Sequence, residues 1–129
     1  MSERWKDWLS QGKKDLKHSE NACGSGDYEW ACFSSQQAAE KAVKAVFLKN
    51  HSEGWGHSVY GLLKALDEKF RVDEDVFESA KILDKHYIPT RYPNGFDSGI
   101  PADYYTKKEA LEAIKNARQV IEFCEGLLR

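Results

Sequence analysis

The sequence predicts an all-α fold, an antiparallel up-and-down bundle of about five helices, in one domain spanning residues 1–129. Three observations predict it. Asp27 to Lys49 runs without Gly or Pro and is apolar on more than one face, which marks a central helix packed on several sides. Four further segments carry apolar residues at steps of three and four. No segment has a convincing period of two, and there is no internal repeat or low-complexity stretch.

The first helix is expected from about Glu3 to Cys23, capped by Ser2. Trp5, Leu9, Gly12, Leu16, Ser19 and Cys23 follow one face. Gly12 weakens the helix but lets a neighbour approach closely. Gly24-Ser25-Gly26 is the stop. The central helix follows, capped by Asp27. Ala31, Ala38, Ala42 and Ala45 form one stripe; Cys32, Ala39, Val43, Val46 and Phe47 form another.

Asn50 to Gly56 reads as a loop with two glycines. A third helix is expected from about His57 to Phe70, with Val59, Leu62, Leu63, Leu66 and Phe70 inward. Asp73 caps a fourth, to about Lys85, whose stripe is Val76 or Phe77, Ala80, Leu83 and Tyr87. From Tyr87 to Tyr105 the pattern breaks. Pro89, Pro93 and Pro101 interrupt any helix, and Gly95 and Gly99 supply turns. Connections of this length in a compact bundle are functional or disordered. Tyr87, Tyr92, Phe96, Tyr104 and Tyr105 argue for order. The last helix opens on a capping box, Thr106 with Glu109, and turns Ala110, Ile114, Ala117, Ile121, Cys124 and Leu128 inward.

Composition narrows the function. With 41% hydrophobic and 31% charged residues the chain is an ordinary globular protein. A net charge of -2 gives no general attraction to nucleic acid, so such binding needs a local patch. No apolar run approaches the ~20 residues that span a bilayer, and Met1 to Ser10 is polar with Trp5 and Trp8 embedded, so a cytoplasmic protein without a signal peptide is expected. Cys23, Cys32 and Cys124 fit neither a metal spacing nor a disulfide framework and read as buried reduced thiols. Four tryptophans and six tyrosines exceed what one small core holds. Some are expected to cover an interface, which makes a homodimer.

No Walker loop, nucleophile elbow, zinc signature or dinucleotide fingerprint is present, and neither metal nor cofactor is expected. His18 should be exposed on a helix and His51 should sit in a turn. His57, at a helix start, either orients its loop or packs. The densest chemistry surrounds His86, in KILDKHYIPTRYPN. Lys81, Lys85 and Arg91 flank it, with Asp84 as a possible orienting carboxylate. Lys81 and His86 project about 140° apart on an ideal helix, so they converge only if the helix unwinds or a second subunit contributes. Arg91 lies on a segment stiffened by Pro89 and Pro93. A preorganised guanidinium beside Tyr87 and Tyr92 suits phosphate and base-stacking contacts. The bland alternative has Arg91 paired with a carboxylate and the tyrosines pinning the loop. Gln36, Gln37, Glu40, Lys41 and Lys44 form either a polar stripe or a polar groove shared with the fourth helix.

WACFSSQQAAEKAVKAVFL (Trp30 to Leu48), GHSVYGLL (Gly56 to Leu63), LDKHYIPTRYPN (Leu83 to Asn94) and YYTKKEALEAIKNARQVIEFC (Tyr104 to Cys124) resemble the HEPN domain family, in the family's order and over nearly the whole chain. The resemblance implies an up-and-down bundle, usually a homodimer. It implies partnership with a minimal nucleotidyltransferase protein, often as a toxin–antitoxin pair, and a nucleotide- or RNA-related role. Many members are metal-independent endoribonucleases whose motif is an Arg, four to six residues, then a His. There the His does acid–base work and the Arg stabilises phosphate charge. Here no Arg precedes a His at that spacing, and Lys81 stands where the Arg would. Lysine keeps the charge but loses bidentate geometry. Three readings follow. The first is a protein that binds nucleotide or RNA and its nucleotidyltransferase partner through Lys81, Lys85, Tyr87, Arg91 and Tyr92. The second is a ribonuclease toxin using His86 with Lys81 or Arg91. The third is a structural or adaptor dimer without ligand.

Overall fold

The computed structural model describes residues 3–129, so the expected cap at Ser2 lies outside the described residues. Six α-helices are present among them: α1 (Arg4–Gly24), α2 (Tyr28–Lys49), α3 (Val59–Asp67), α4 (Glu74–Asp84), α5 (Pro101–Tyr104) and α6 (Lys107–Leu128). A 3-10 turn, Pro93–Gly95, stands between α4 and α5. No strand occurs among the described residues.

The centre is α2. Ala31, Cys32, Ala38, Ala39, Ala42, Val43, Ala45 and Val46 are all buried, so both of its stripes face protein. It packs most heavily on α1 and α6, and also meets α3, α4 and α5. Small residues on this helix let backbones approach. At Gly12 a Cβ would come within 2.9 Å of the Ala38 carbonyl oxygen, so only glycine permits this α1–α2 crossing. Lys41 of α2 reaches Asp15 of α1 at 2.5 Å, and Lys13 of α1 reaches Glu125 of α6 at 2.6 Å. Arg118 of α6 pairs with Glu20 of α1.

The thiols of Cys23, Cys32 and Cys124 are free and buried. Burial pushes the Cys32 thiol up to about 12 and raises Cys124 as well, so neither is a ready nucleophile. The α6 capping box forms as expected, with Glu109 N–H donating to Thr106 Oγ1 and Thr106 N–H donating to Glu109 Oε1.

α3 is shorter than the expected His57–Phe70 at both ends. Ser58 is its cap, accepting from Gly61 N–H at 2.9 Å. At the far end Val72 N–H donates to the Asp67 carboxylate, which closes the chain into a turn after Asp67. The stretch 87–105 is also more structured than its prolines and glycines indicate. Besides the 3-10 turn and α5, Phe96 stacks on Tyr104 with ring centroids 4.3 Å apart, and Tyr104 donates to the Ser98 carbonyl.

Candidate nucleic-acid interface

α4 ends at Asp84, and the chain continues in tight turns. His86 N–H donates to the Leu83 carbonyl and Tyr87 N–H to the Asp84 carbonyl. These turns send neighbouring side chains to opposite destinations. His86 points inward and is 9% exposed. Its ring meets Tyr105 edge-on at 5.7 Å, and its Nδ1 has no hydrogen-bond partner among the described residues. Burial lowers the His86 pKa, with Glu109 and Glu112 opposing that shift and Lys85 adding to it. The buried hydroxyl of Thr90 donates to the His86 carbonyl at 2.7 Å, which fixes the turn.

Arg91 leaves that turn outward. Its Nε donates to the Tyr87 carbonyl at 2.9 Å. Its guanidinium carbon lies 4.4 Å from the ring centre of Phe33, 4.6 Å from that of Tyr87 and 5.2 Å from that of Tyr92. Three rings thus hold one cation, an arrangement strengthened by the attraction of a guanidinium for aromatic faces. No carboxylate pairs with Arg91 among the described residues. The alternative of an Arg91 ion pair is therefore set aside, and the side chain keeps donors and positive charge for an anion.

Lys81 and Lys85 do not join this cluster. Lys81 lies over Tyr60 of α3 at 4.9 Å, while Lys85 is exposed. No contact among the described residues brings Lys81 to His86. Asp84 does not orient His86 either. Its carboxylate accepts from Ser58 Oγ at 2.9 Å, Val59 N–H at 2.8 Å and Tyr60 N–H at 3.0 Å, which caps the N-terminus of α3 from another helix.

Part of the polar face of α2 is a buried hydrogen-bond network shared with the turn before α3 and the end of α4, while Lys41 turns to Asp15 of α1. Gln36, fully buried, donates to the His57 carbonyl at 2.7 Å and lies 3.4 Å from Asp84 Oδ1. Gln37 donates to Gln36 Oε1 at 2.9 Å. Glu40, its side chain 6% exposed, receives Lys44 Nζ at 3.0 Å and meets His57 Nδ1 at 3.2 Å. The His57 ring stacks on Tyr87, centroids 4.9 Å apart and 18° from parallel. Tyr87 therefore joins His57 to Arg91.

Sequence reasoning missed Phe33 and the Glu40–His57 pair. The signal for Glu40 was present, since a carboxylate amid a helix apolar on several faces must find a partner. The signal for Phe33 was absent, because its role depends on a residue from a distant turn.

A family model of the HEPN domain matches residues 5–127. The chain is similar to TT1696 of Thermus thermophilus, whose crystal structure superposes with a TM-score of 0.94 at 46% identity, covering 98% of this chain and 99% of that one. It is also similar to the crystal structure of ST0689, an archaeal HEPN homologue, at a TM-score of 0.84 and 38% identity, covering 99% of this chain and 100% of that one. Putative toxin MJ1304 of Methanocaldococcus jannaschii is 26% identical over 131 residues, which is 95% of this chain and 86% of that protein.

Proposed function

Because the chain belongs to the HEPN domain family, we propose that it binds RNA or a nucleotide at the Arg91 cluster and works in a toxin–antitoxin-like pair with a minimal nucleotidyltransferase. One observation carries the binding reading. Arg91 is a cation with no carboxylate partner among the described residues, oriented by three aromatic rings and anchored through Nε. Phosphate suits such a group, and the exposed ring of Tyr92 offers a face for a base. The partner reading is supported by the family. The relative named as a toxin supports a toxin-like context.

His86 does not favour the ribonuclease reading built on it. A general base must come within hydrogen-bond reach of the proton it removes. His86 is enclosed, its ring lies against Tyr105, and burial disfavours its protonated form. A homodimer belongs to the same proposal. Trp55 is 81% exposed, and Trp30 and Ile88 also present large apolar surfaces.

Fluorescence anisotropy of a labelled RNA, with the parent protein beside Arg91→Ala, tests the binding reading. Binding that the substitution removes supports it; equal binding by both proteins excludes the Arg91 cluster. Co-expression with the cognate nucleotidyltransferase tests the partnership. Failure to co-purify would argue against it.

No helix among the described residues is long and apolar enough to cross a membrane.

A further inference from the structure

We infer that the cavity walled by Trp8 of α1 and by Trp55, in the loop before α3, binds a small organic ammonium ion through the two indole faces and the Glu53 carboxylate. The cavity holds about 390 Å³ and is also lined by Lys44, Leu48 and His57. That volume is at the lower end of the ~300–1,000 Å³ of small-molecule pockets, so the ligand is small. Arg91 does not line this cavity, and the inference is independent of the RNA reading.

Trp55 is 81% exposed although the chain on both sides of it is fixed. Ser52 N–H donates to the Phe47 carbonyl at 3.0 Å. At Gly54 a Cβ would come within 3.0 Å of both Leu62 and Phe47, so the loop backbone itself packs on α2 and α3. On the far side the His57 carbonyl accepts from buried Gln36 at 2.7 Å. The indole is therefore held outward by a fastened loop. No ring or cation lies against it among the described residues. A covered aromatic side chain buries about 150–250 Å², and here that surface stands at a cavity beside a second indole.

Charge selects the ligand. Lys44 Nζ pairs with the buried Glu40 carboxylate at 3.0 Å, and the same carboxylate meets His57 Nδ1 at 3.2 Å. Glu40 thus offsets the cation of the wall. Glu53 makes no hydrogen bond or ion pair among the described residues, which leaves its charge uncompensated. A ligand anion would face Glu53 and find Lys44 engaged. A ligand cation meets a carboxylate together with indole faces, whose electron-rich surface attracts it. Indoles at this end of the bundle already receive cations from the chain itself. Lys44 Nζ lies 6.0 Å from the ring centre of Trp8, and Lys49 Nζ lies 5.0 Å from that of Trp5. The ligand takes over Trp55 the place that a lysine takes over the other two. Apolar surface for a second copy lies elsewhere. Trp30 stands eighteen positions before Leu48 on α2, about 27 Å away at a rise of about 1.5 Å per residue.

The test titrates the full chain with choline, with putrescine, with the uncharged tert-butyl isostere of choline and with benzoate, all at one ionic strength. Calorimetry and tryptophan fluorescence follow binding. Saturable binding of at least one of the two cations is expected, with the isostere and benzoate at least about tenfold weaker than the better cation. Trp55→Ala should weaken cation binding at least about fivefold, and Trp55→Phe should recover part of the loss, since the smaller ring keeps a face for the charge. Glu53→Gln should weaken it about threefold or more. Both side chains are exposed, and circular dichroism establishes that the variants are folded. Equal affinity for the isostere would make the cavity an apolar site without charge selection and overturn the inference. Tighter binding of benzoate would reverse the charge assignment. Absence of saturable binding by either cation, or unchanged binding in Trp55→Ala, would remove the site. Sedimentation of the parent protein and Trp55→Ala completes the test: a dimer lost with the indole would give Trp55 to a second copy instead of a ligand.

Discussion

His57 and His86 stand in similar places in the chain, each beside a helix end, and in opposite surroundings. His57 precedes the cap of α3, with a carboxylate on one nitrogen and no hydrogen-bond partner on the other among the described residues. His86 follows the end of α4, and its ring is enclosed with Nδ1 unpartnered. The chemically crowded sequence lies around His86, yet the exposed histidine that meets a buried carboxylate is His57. A histidine acts only where one nitrogen is oriented and the other accessible. Neighbours in sequence do not supply that. Arg91, five positions beyond His86, shows the same point, because it reaches the side of the molecule where His57 sits by way of Tyr87.

The largest expected effect on this contrast comes from Asp84→Ala. It removes the acceptor shared by Ser58, Val59 and Tyr60 and releases the start of α3 that places His57. Charge-assisted bonds of this kind are worth about 1.5–3 kcal/mol each when a donor is left stranded. Solvent reaches this half-buried site and lowers the sum, so urea denaturation should show a loss of about 2–3 kcal/mol. A loss below about half a kcal/mol would mean that α3 starts without help from α4.

Arg91→Ala comes next. RNA affinity should fall at least tenfold, equivalent to about 1.4 kcal/mol, and the melting temperature should fall modestly too, because the substitution also removes the Nε bond to the Tyr87 carbonyl and the contacts with three rings. Arg91→Lys should recover only part of the affinity, since an ammonium keeps the charge but stacks poorly and cannot bind bidentately. Full recovery by lysine would show that charge alone matters.

On the His86 side the expected effect depends on pH. The folded-state pKa lies below the ordinary histidine value of 6.5 because burial opposes the charge. On acidification through that value the unfolded chain takes up the proton first, so stability is lost as pH falls, by at most about 1.4 kcal/mol per pH unit. His86→Leu should remove this component. Denaturation at pH 7 and at pH 5 should therefore show a smaller acid loss in the variant. An equal loss in both proteins would place the acid sensitivity elsewhere.

The smallest effect is expected from Thr106→Ala, which removes the side-chain half of the α6 capping box next to Tyr105, the ring that closes over His86. Loss of such a cap costs about 1 kcal/mol. Hydrogen exchange should rise in the first turn of α6, and an unchanged exchange rate there would mean that packing, not capping, holds that end.

The sequence by itself determined the five longer helices, because periodicity, caps and breakers act within a few residues, but not the ends of α3 or the short α5. The stripes of α2, the turn at Gly24-Ser25-Gly26, the close approach at Gly12 and the capping box at Thr106 all stand as read. The density of chemistry around Arg91 and its tyrosines was also readable, but the turns, ring stacking and short helix that order the segment were not. Only the tertiary structure decided which polar groups meet. Gln36 to Asp84, Glu40 to His57 and Phe33 to Arg91 each join residues from different elements. Such pairs depend on helix crossing and rotation, which many side chains fix together and no local pattern encodes. The same holds for His86. Its position after α4 is readable in the chain, but whether the turn there points into the core or into solvent follows from how α4 packs on α6.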